Sequence, residues 1–228
     1  MRLDLHVHTR ERSACGKATE EAMIKAAIAV GLDGLVFTDH DRLAPPTRLC
    51  ELNAQYAPFH IFGGIEISLE EGEHVLVLGL QAPELQNQRW TYPELYGFIR
   101  RREGFLALNH PFRYRTSLRI DITRHPPDAI ELYSHNTPLA AEDQIRQLAS
   151  HLGLRVLANS DAHQTDRLGD YYNQLATQPA NDRELVEALR QGRYSCHAPK
   201  RTATPGWAGA ALTHIRQRLK LQPSPPSF

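Results

Sequence analysis

Five short, largely apolar stretches of this 228-residue chain run directly into a histidine or a carboxylate. Leu3-Asp4-Leu5 leads into His6-Val7-His8, and Gly34-Leu35-Val36-Phe37-Thr38 into Asp39-His40. Ile61-Phe62-Gly63-Gly64-Ile65 leads into Glu66, Phe105-Leu106-Ala107-Leu108 into Asn109-His110-Pro111, and Arg155 to Ala158 into Asn159-Ser160-Asp161-Ala162-His163. Runs of this length and character predict strands, and a fully apolar one such as 34–38 is typical of a strand covered on both faces. Further strands are predicted over Phe59–Ile67, His74–Leu80 and Ala129–Tyr133. The first two of these are joined by the acidic turn Glu70-Glu71-Gly72-Glu73.

Helical patterns lie between the strands. Thr19-Glu20-Glu21 predicts a capped, acidic start to a helix that Ala22 to Val30 continues and Gly31 stops. Pro45–Gln55, Pro93–Arg102, Pro138–Leu152 and Asp182–Arg190 predict four more, the last two stopped by Gly153 and Gly192. Strands alternating with helices predict a single-domain α/β fold with a parallel sheet. In a parallel barrel the C-terminal strand ends share one face, and catalytic groups gather there. His74 opens its strand rather than ending it, so it reaches that face if the strand runs antiparallel to its neighbour. The predicted domain spans 1–197. The remainder, 198–228, is rich in Thr, Pro and basic residues with one helical stretch near Ala208–Leu221, and has the composition of a partly disordered appendage.

Composition excludes several classes. Lys plus Arg equals Asp plus Glu at 26 each, so no net charge draws the chain to nucleic acid or an anionic membrane. No apolar run reaches signal-peptide or membrane-spanning length. Cys15, Cys50 and Cys196 are an odd count without a CxxC pair, which predicts free thiols and a cytoplasmic location. Nothing in the sequence bears on oligomeric state.

The strand-end residues carry the chemistry. His6 and His8 share one strand face by the two-residue period and are placed to chelate one ion. Imidazole and carboxylate donors suit Zn, Mn or Fe, and a carboxylate bridging two ions matches the two-metal hydrolytic arrangement. The absence of clustered thiolates favours an open catalytic site over a closed structural zinc site. Together, His6-Val7-His8-Thr9, Thr38-Asp39-His40, Gly64-Ile65-Glu66-Ile67, His74, Asn109-His110-Pro111 and Ser160-Asp161-Ala162-His163 resemble the polymerase-and-histidinol-phosphatase (PHP) superfamily of metal-dependent phosphoesterases over residues 1–197.

That resemblance implies a distorted, TIM-like (β/α)7 barrel with two or three divalent ions. It implies one ion held by His6, His8, Glu66 and Asp161, a second held by Glu66, His74 and His110, and a third involving His40 and His163. It also makes Glu66, Asp161 and His163 the candidate catalytic residues. Many members add an acidic or histidine ligand from the loop after HxHT. Here that loop reads His8-Thr9-Arg10-Glu11-Arg12-Ser13-Ala14-Cys15-Gly16, without the Asp. Glu11 and Cys15 are the substitutes available, and the third position is otherwise weak or empty.

Arg113 is placed to clamp a substrate phosphate, with Arg10, Arg12 and Arg115 as weaker candidates. Glu131 and His135, at another strand end, are candidates for substrate contact or for supporting a ligand. Asp39 is expected to orient a neighbouring ligand. A nucleophilic Cys15 would need an activating base, which a metal-activated water makes unnecessary. Trp90 and Tyr92 are expected to pack rather than stack on a base. His60, His125, His151, His197 and His214 receive no role.

The predicted function is hydrolysis of a phosphomonoester or phosphodiester by a metal-activated water. The substrate is a small phosphorylated metabolite, a nucleotide or an oligonucleotide end, with nucleic acid entering only as substrate and no membrane partner. The alternatives are an amidohydrolase-like C–N hydrolase, disfavoured because no lysine ends a strand, and a non-catalytic metal-binding regulatory module.

Overall fold

The computed structural model describes residues 1–200; the helix expected near 208–221, and His214, lie outside the described residues. In chain order the elements are β1 (Arg2–Val7), α1 (Glu20–Ala29), β2 (Gly34–Phe37), α2 (Pro46–Tyr56), β3 (His60–Ser68), β4 (His74–Leu78), α3 (Glu84–Asn87), α4 (Tyr92–Arg101), β5 (Phe105–Leu108), β6 (Ala129–Tyr133), α5 (Glu142–Leu152), β7 (Arg155–Ala158), β8 (Tyr172–Leu175), α6 (Asp182–Gln191) and β9 (Tyr194–His197). Nine strands form one sheet in the order β7-β6-β5-β4-β3-β2-β1-β8-β9. Neighbours pair in parallel except at β3–β4, β4–β5, β1–β8 and β8–β9.

The fold is mixed α/β with a nearly closed, barrel-shaped sheet, but it is not a regular seven-fold β/α repeat. β3 turns straight back into the antiparallel β4, which brings His74 to the site face. β8 and β9, unrecognised in the sequence, fill the seam between β1 and β7. No backbone ladder joins β7 to β8 among the described residues; the buried Asn173 amide takes its place. It accepts from Ala158 N at 3.1 Å and donates to Ala158 O at 2.8 Å. Tyr194 Oη also donates across this seam to Val156 O at 3.1 Å. These strands escaped notice because Tyr-Asn-Gln-Leu and Tyr-Ser-Cys-His lack an apolar run, and their join to β7 depends on side-chain hydrogen bonds. The helix expected from Pro138 starts as a 3₁₀ turn over Leu139–Ala141 and becomes α-helical at Glu142.

Apolar side chains alternate along the strands between the barrel interior and the helix-covered exterior. Leu3, Leu5, Val36, Phe62, Leu76, Leu78, Phe105 and Leu157 fill the interior, joined by Leu185, Val186 and Leu189 of α6, which plugs one end. The plug sits at the start of β5, where Arg190 donates to Gly104 O at 2.6 Å. Gly79 (φ +79°) is required there, because a Cβ would lie 2.4 Å from Val186. Outside, α1 and α2 pack on β1–β3, and α4 and α5 on the remainder. Each fully buried Leu or Phe contributes about 1.5–3 kcal/mol, so the plugged end is the rigid base from which the opposite strand ends project. No helix among the described residues is long and apolar enough to cross a membrane.

A register irregularity in β1 positions the site. Leu3 pairs with Gly34 and Leu5 packs inward, while Val7 pairs with Phe37 and packs outward with it. The shift between Asp4 and Val7 is a bulge that resets the two-residue phase. His6 and His8 thereby take the interior face that Leu3 and Leu5 occupy lower down, a use of bulges often found beside active sites.

Candidate metal centre

Eight side chains converge at the open end of the barrel. His6 Nε2 and His8 Nε2 are 3.1 Å apart. Each lies 3.2 Å from Glu66 Oε2, and they are 3.3 and 3.1 Å from Asp161 Oδ1. His40 Nδ1 is 3.0 Å from Glu66 Oε2. His74 Nδ1 and His110 Nε2 approach the other oxygen, Glu66 Oε1, at 3.3 and 3.1 Å. His163 Nδ1 is 3.6 Å from Asp161 Oδ1. His6, His8, Glu66 and Asp161 are buried, and His40, His74 and His163 form the half-buried rim.

This arrangement fits cations. Glu66 Oε2 is fully buried yet has no hydrogen-bond partner of acceptable geometry, which in a protein interior demands an explanation. Two facing imidazole nitrogens share a hydrogen bond only if one is protonated; an ion accepts both lone pairs. One donor atom each from His6, His8, Glu66 and Asp161 lie mutually within 4.8 Å, as do those of His40, Glu66 and His74, and those of His8, Cys15, His40 and His163. Either of the first two sets could hold an ion, with Glu66 shared.

The electrostatics read the same way. Burial disfavours a charged His8, but a hydrogen bond to Asp161 and the nearby Glu66 carboxylate outweigh it and raise its imidazole to about 9. At His6 burial is likewise overcome, by Asp161 and then Glu66, and the imidazole is held well above its ordinary value. At His110 Glu66 does the same. Against their own burial, Glu66 is held well below the carboxylate range by His6 and His110, and Asp161 is lowered by His6 and His8. Protons on the inner histidines therefore balance the carboxylates when no ion does. Burial pushes His40 down to about 4 and, with His8, lowers His163, leaving both as neutral donors.

A pH dependence follows. A histidine whose value is raised on folding stabilises fully below its unfolded value, near 6.5, and loses that contribution as pH rises through its folded value. In chelator, the melting temperature is expected to fall between pH 6.5 and about 9. With a saturating divalent ion it is expected to hold, because the ion replaces those protons. Parallel pH profiles with and without ion would show this to be wrong.

Supporting contacts fix the donors. Glu131, a candidate for substrate contact or for supporting a ligand, is sealed with no exposed surface and takes the second role. It accepts from Asn159 Nδ2 at 2.9 Å and His110 N at 3.2 Å and lies 3.1 Å from His6 Nδ1. Asp39 accepts from Thr9 N, Thr9 Oγ1, Ser13 Oγ and Arg12 Nε, and reaches the donors through Ser13, whose Oγ is 3.3 Å from His8 Nδ1 and accepts from His40 N at 2.9 Å. Arg12 is consumed by Asp39 and Glu20, so it is no phosphate clamp. Arg113 Nη1 lies 3.7 Å from Asp161 Oδ2 and lines a cavity with His74, His110, Tyr114 and Arg115. His135 lines a second cleft with Lys17, Asn136, Asp161, His163 and Arg167, its Nε2 3.0 Å from Arg167 O. Trp90 and Tyr92 are core residues.

Sequence reasoning missed two contributors. Asn136 Nδ2 donates to Asp161 Oδ2 at 2.6 Å. Asp4 Oδ1 accepts from His6 N at 3.2 Å and Ser160 N at 3.1 Å, tying the first and last motifs together; burial raises its carboxyl to about 7. A single carboxylate inside the Leu3–Leu5 run was the available signal. His110 (φ +23°) and Asp161 (φ +51°) sit in the left-handed region, a backbone conformation that persists for such residues only where the surroundings over-determine it.

Comparison with known proteins agrees with this geometry. A family model described as PHP-associated matches residues 140–194. Over 84 residues the chain is 37% identical to a phosphoribosyl 1,2-cyclic phosphate 1,2-diphosphodiesterase of Eggerthella lenta, covering 36% of this chain and 31% of that protein. The chain is similar to proteins of the PHP superfamily. Its fold is shared with a two-domain protein of Bacteroides vulgatus containing a predicted PHP-like metal-dependent phosphoesterase. That match has a TM-score of 0.66 and 16% identity, and covers 87% of this chain and 64% of that one. The fold is also shared with an amidohydrolase of Chromobacterium violaceum, with a TM-score of 0.60 and 18% identity over 83% and 97% of the two chains.

Proposed function

We propose that this chain hydrolyses a phosphomonoester or phosphodiester of a small phosphorylated molecule, a nucleotide or an oligonucleotide end, in a reducing cytoplasm that keeps its three free thiols reduced. The observation that carries the reading is the join of one carboxylate-histidine cluster to two cation-bearing clefts. Arg113 and Arg115 lie on one side, and Lys17 and Arg167 on the other. Divalent zinc, manganese or iron ions held by His6, His8, Glu66, Asp161, His74 and His110 would supply an acidified water and neutralise charge on the phosphoryl oxygens.

The chain's own residues do the rest. Arg113, beside Asp161, takes a phosphoryl oxygen through its forked donors. Asn136 holds Asp161 in place. His163, neutral and on the rim, offers a ring nitrogen that can accept a proton from the attacking water. Glu66 and Asp161 supply the negative charge that keeps the ions in the pocket. Among the described residues no lysine ends a strand, Lys17 lying in the loop after β1 and Lys25 within α1, which favours the phosphoester reading over a C–N hydrolase built around a modified strand-end lysine.

The expected result is hydrolysis of an aryl phosphate by the manganese-loaded protein. His6→Ala and Asp161→Asn should each lower it at least about tenfold, about 1.4 kcal/mol of barrier. Unchanged rates in both variants would overturn the reading, and cleavage of an anilide without cleavage of the phosphate would favour the C–N alternative.

A further inference from the structure

The loop after His8 lacks a carboxylate at the cluster, and the structure distinguishes the two candidate substitutes. Glu11 turns away, its Oε2 accepting from Glu20 N at 3.1 Å. Cys15 is exposed, yet its sulfur lies within 4.8 Å of donor atoms of His8, His40 and His163. The His8 ring lies between the other two, 4.6 Å from His40 and 4.3 Å from His163, inclined by 26° and 27°.

The loop that carries the thiol is anchored on both sides. Ser13 N donates to Thr9 O at 3.0 Å, and Ser13 Oγ joins Asp39 to His40 N. Beyond the thiol, Gly16 N donates to Ser13 O and Lys17 N to His163 O at 2.8 Å. Gly16 allows this tight course, because a Cβ would lie 2.4 Å from the Thr9 carbonyl. Cys15 is thus placed by backbone bonds to the same segments that place His8, His40 and His163, and it is held facing two imidazoles.

We propose that Cys15 is a metal ligand in this chain. With His40 and His163 it forms a third ion position of mixed sulfur and nitrogen donors, His40 then serving this ion while Glu66, His74 and His110 serve the second. On binding, the thiol releases its proton to solvent and the thiolate bonds the ion. Thiolates favour zinc and other soft-accepting ions over manganese and magnesium, so this position takes Zn²⁺ or Co²⁺ and discriminates against Mn²⁺. The inference rests on the metal-dependent reading above but not on the reaction assigned to it.

The test uses the full chain, stripped with chelator and reloaded with Co²⁺, Zn²⁺ or Mn²⁺ alone. Cobalt-loaded protein should show thiolate-to-cobalt absorption in the near ultraviolet. Zinc-loaded protein should hold about one ion more per chain than manganese-loaded protein. Cys15→Ala should lose both the absorption and that extra ion. Cys15→Asp, a hard donor in the same place, should lose the absorption and hold its third ion as readily from manganese as from zinc. Absence of the absorption in the wild type, or equal zinc content in Cys15→Ala and wild type, would overturn the proposal. Hydrolysis of aryl phosphate without the absorption would sink this inference and leave the phosphoesterase reading standing, and the absorption without hydrolysis would do the reverse.

Discussion

Glu66→Gln is expected to lower phosphoester hydrolysis by at least about a thousandfold, roughly 4 kcal/mol of barrier, while leaving the fold intact. The size of the effect comes from how many groups share this carboxylate. Nitrogens of His6, His8, His40, His74 and His110 all lie within 3.0–3.3 Å of one or other of its oxygens. An amide of the same shape removes the charge and turns one end into a donor aimed at nitrogens that must present lone pairs. Both ion positions that share Glu66 should weaken together, so ion content should fall with activity. A second readout separates this from misfolding. With the carboxylate gone, the inner histidines lose a main cause of their raised values. The drop in melting temperature above pH 6.5 in chelator should then shrink. Activity within about tenfold of wild type at unchanged ion content would refute the bridging role.

Glu131→Gln is expected to weaken ion binding by about 10–100-fold, although Glu131 sits behind the donors with no exposed surface. Its two oxygens face three donors: the His6 ring nitrogen, Asn159 Nδ2 and His110 N. The carboxylate favours a proton on His6 Nδ1, so that an ion displacing the Nε2 proton would meet a lone pair there. A glutamine has one acceptor and one donor end, so one of the three donors meets an N–H. If that is His6, the favoured tautomer reverses and the proton moves to the nitrogen that must bind the ion. The measurement is chelator competition for zinc, with the ion-free melting temperature as control for folding. Zinc affinity equal to wild type would show that Glu131 only fills space.

The site was legible because its parts are local. A strand of four to six residues ending in a histidine or carboxylate announces itself without knowledge of its neighbours. The hairpin that returns His74 to the site face was readable from the acidic turn between two apolar runs. Helix stops at Gly153 and Gly192 were readable because both residues adopt left-handed backbone, which glycine enters at little cost.

What escaped was relational. β8 and β9 carry no apolar run; they pair with β1 and with each other through the backbone, and Asn173 and Tyr194 join them to the edge of β7. The choice between substrate contact and ligand support for Glu131 stayed open because a strand-end residue has the same sequence signature whether it faces substrate or lies behind a ligand. Arg12 looked like a phosphate clamp until Asp39 and Glu20, distant in sequence, were found to claim its guanidinium.

The sequence by itself determined that five strand ends bear ligating side chains, because the two-residue period and the apolar run are properties of adjacent residues. It also determined that the loop after His6 and His8 lacks the expected acid. The tertiary structure decided which face His6 and His8 occupy, since the bulge between Asp4 and Val7 depends on pairing with β2. It decided that Glu66 rather than Asp161 lies within reach of five imidazoles. And it decided between Glu11 and Cys15, because only backbone bonds from the loop to Thr9 and His163 determine which of two side chains four residues apart is turned toward the cluster.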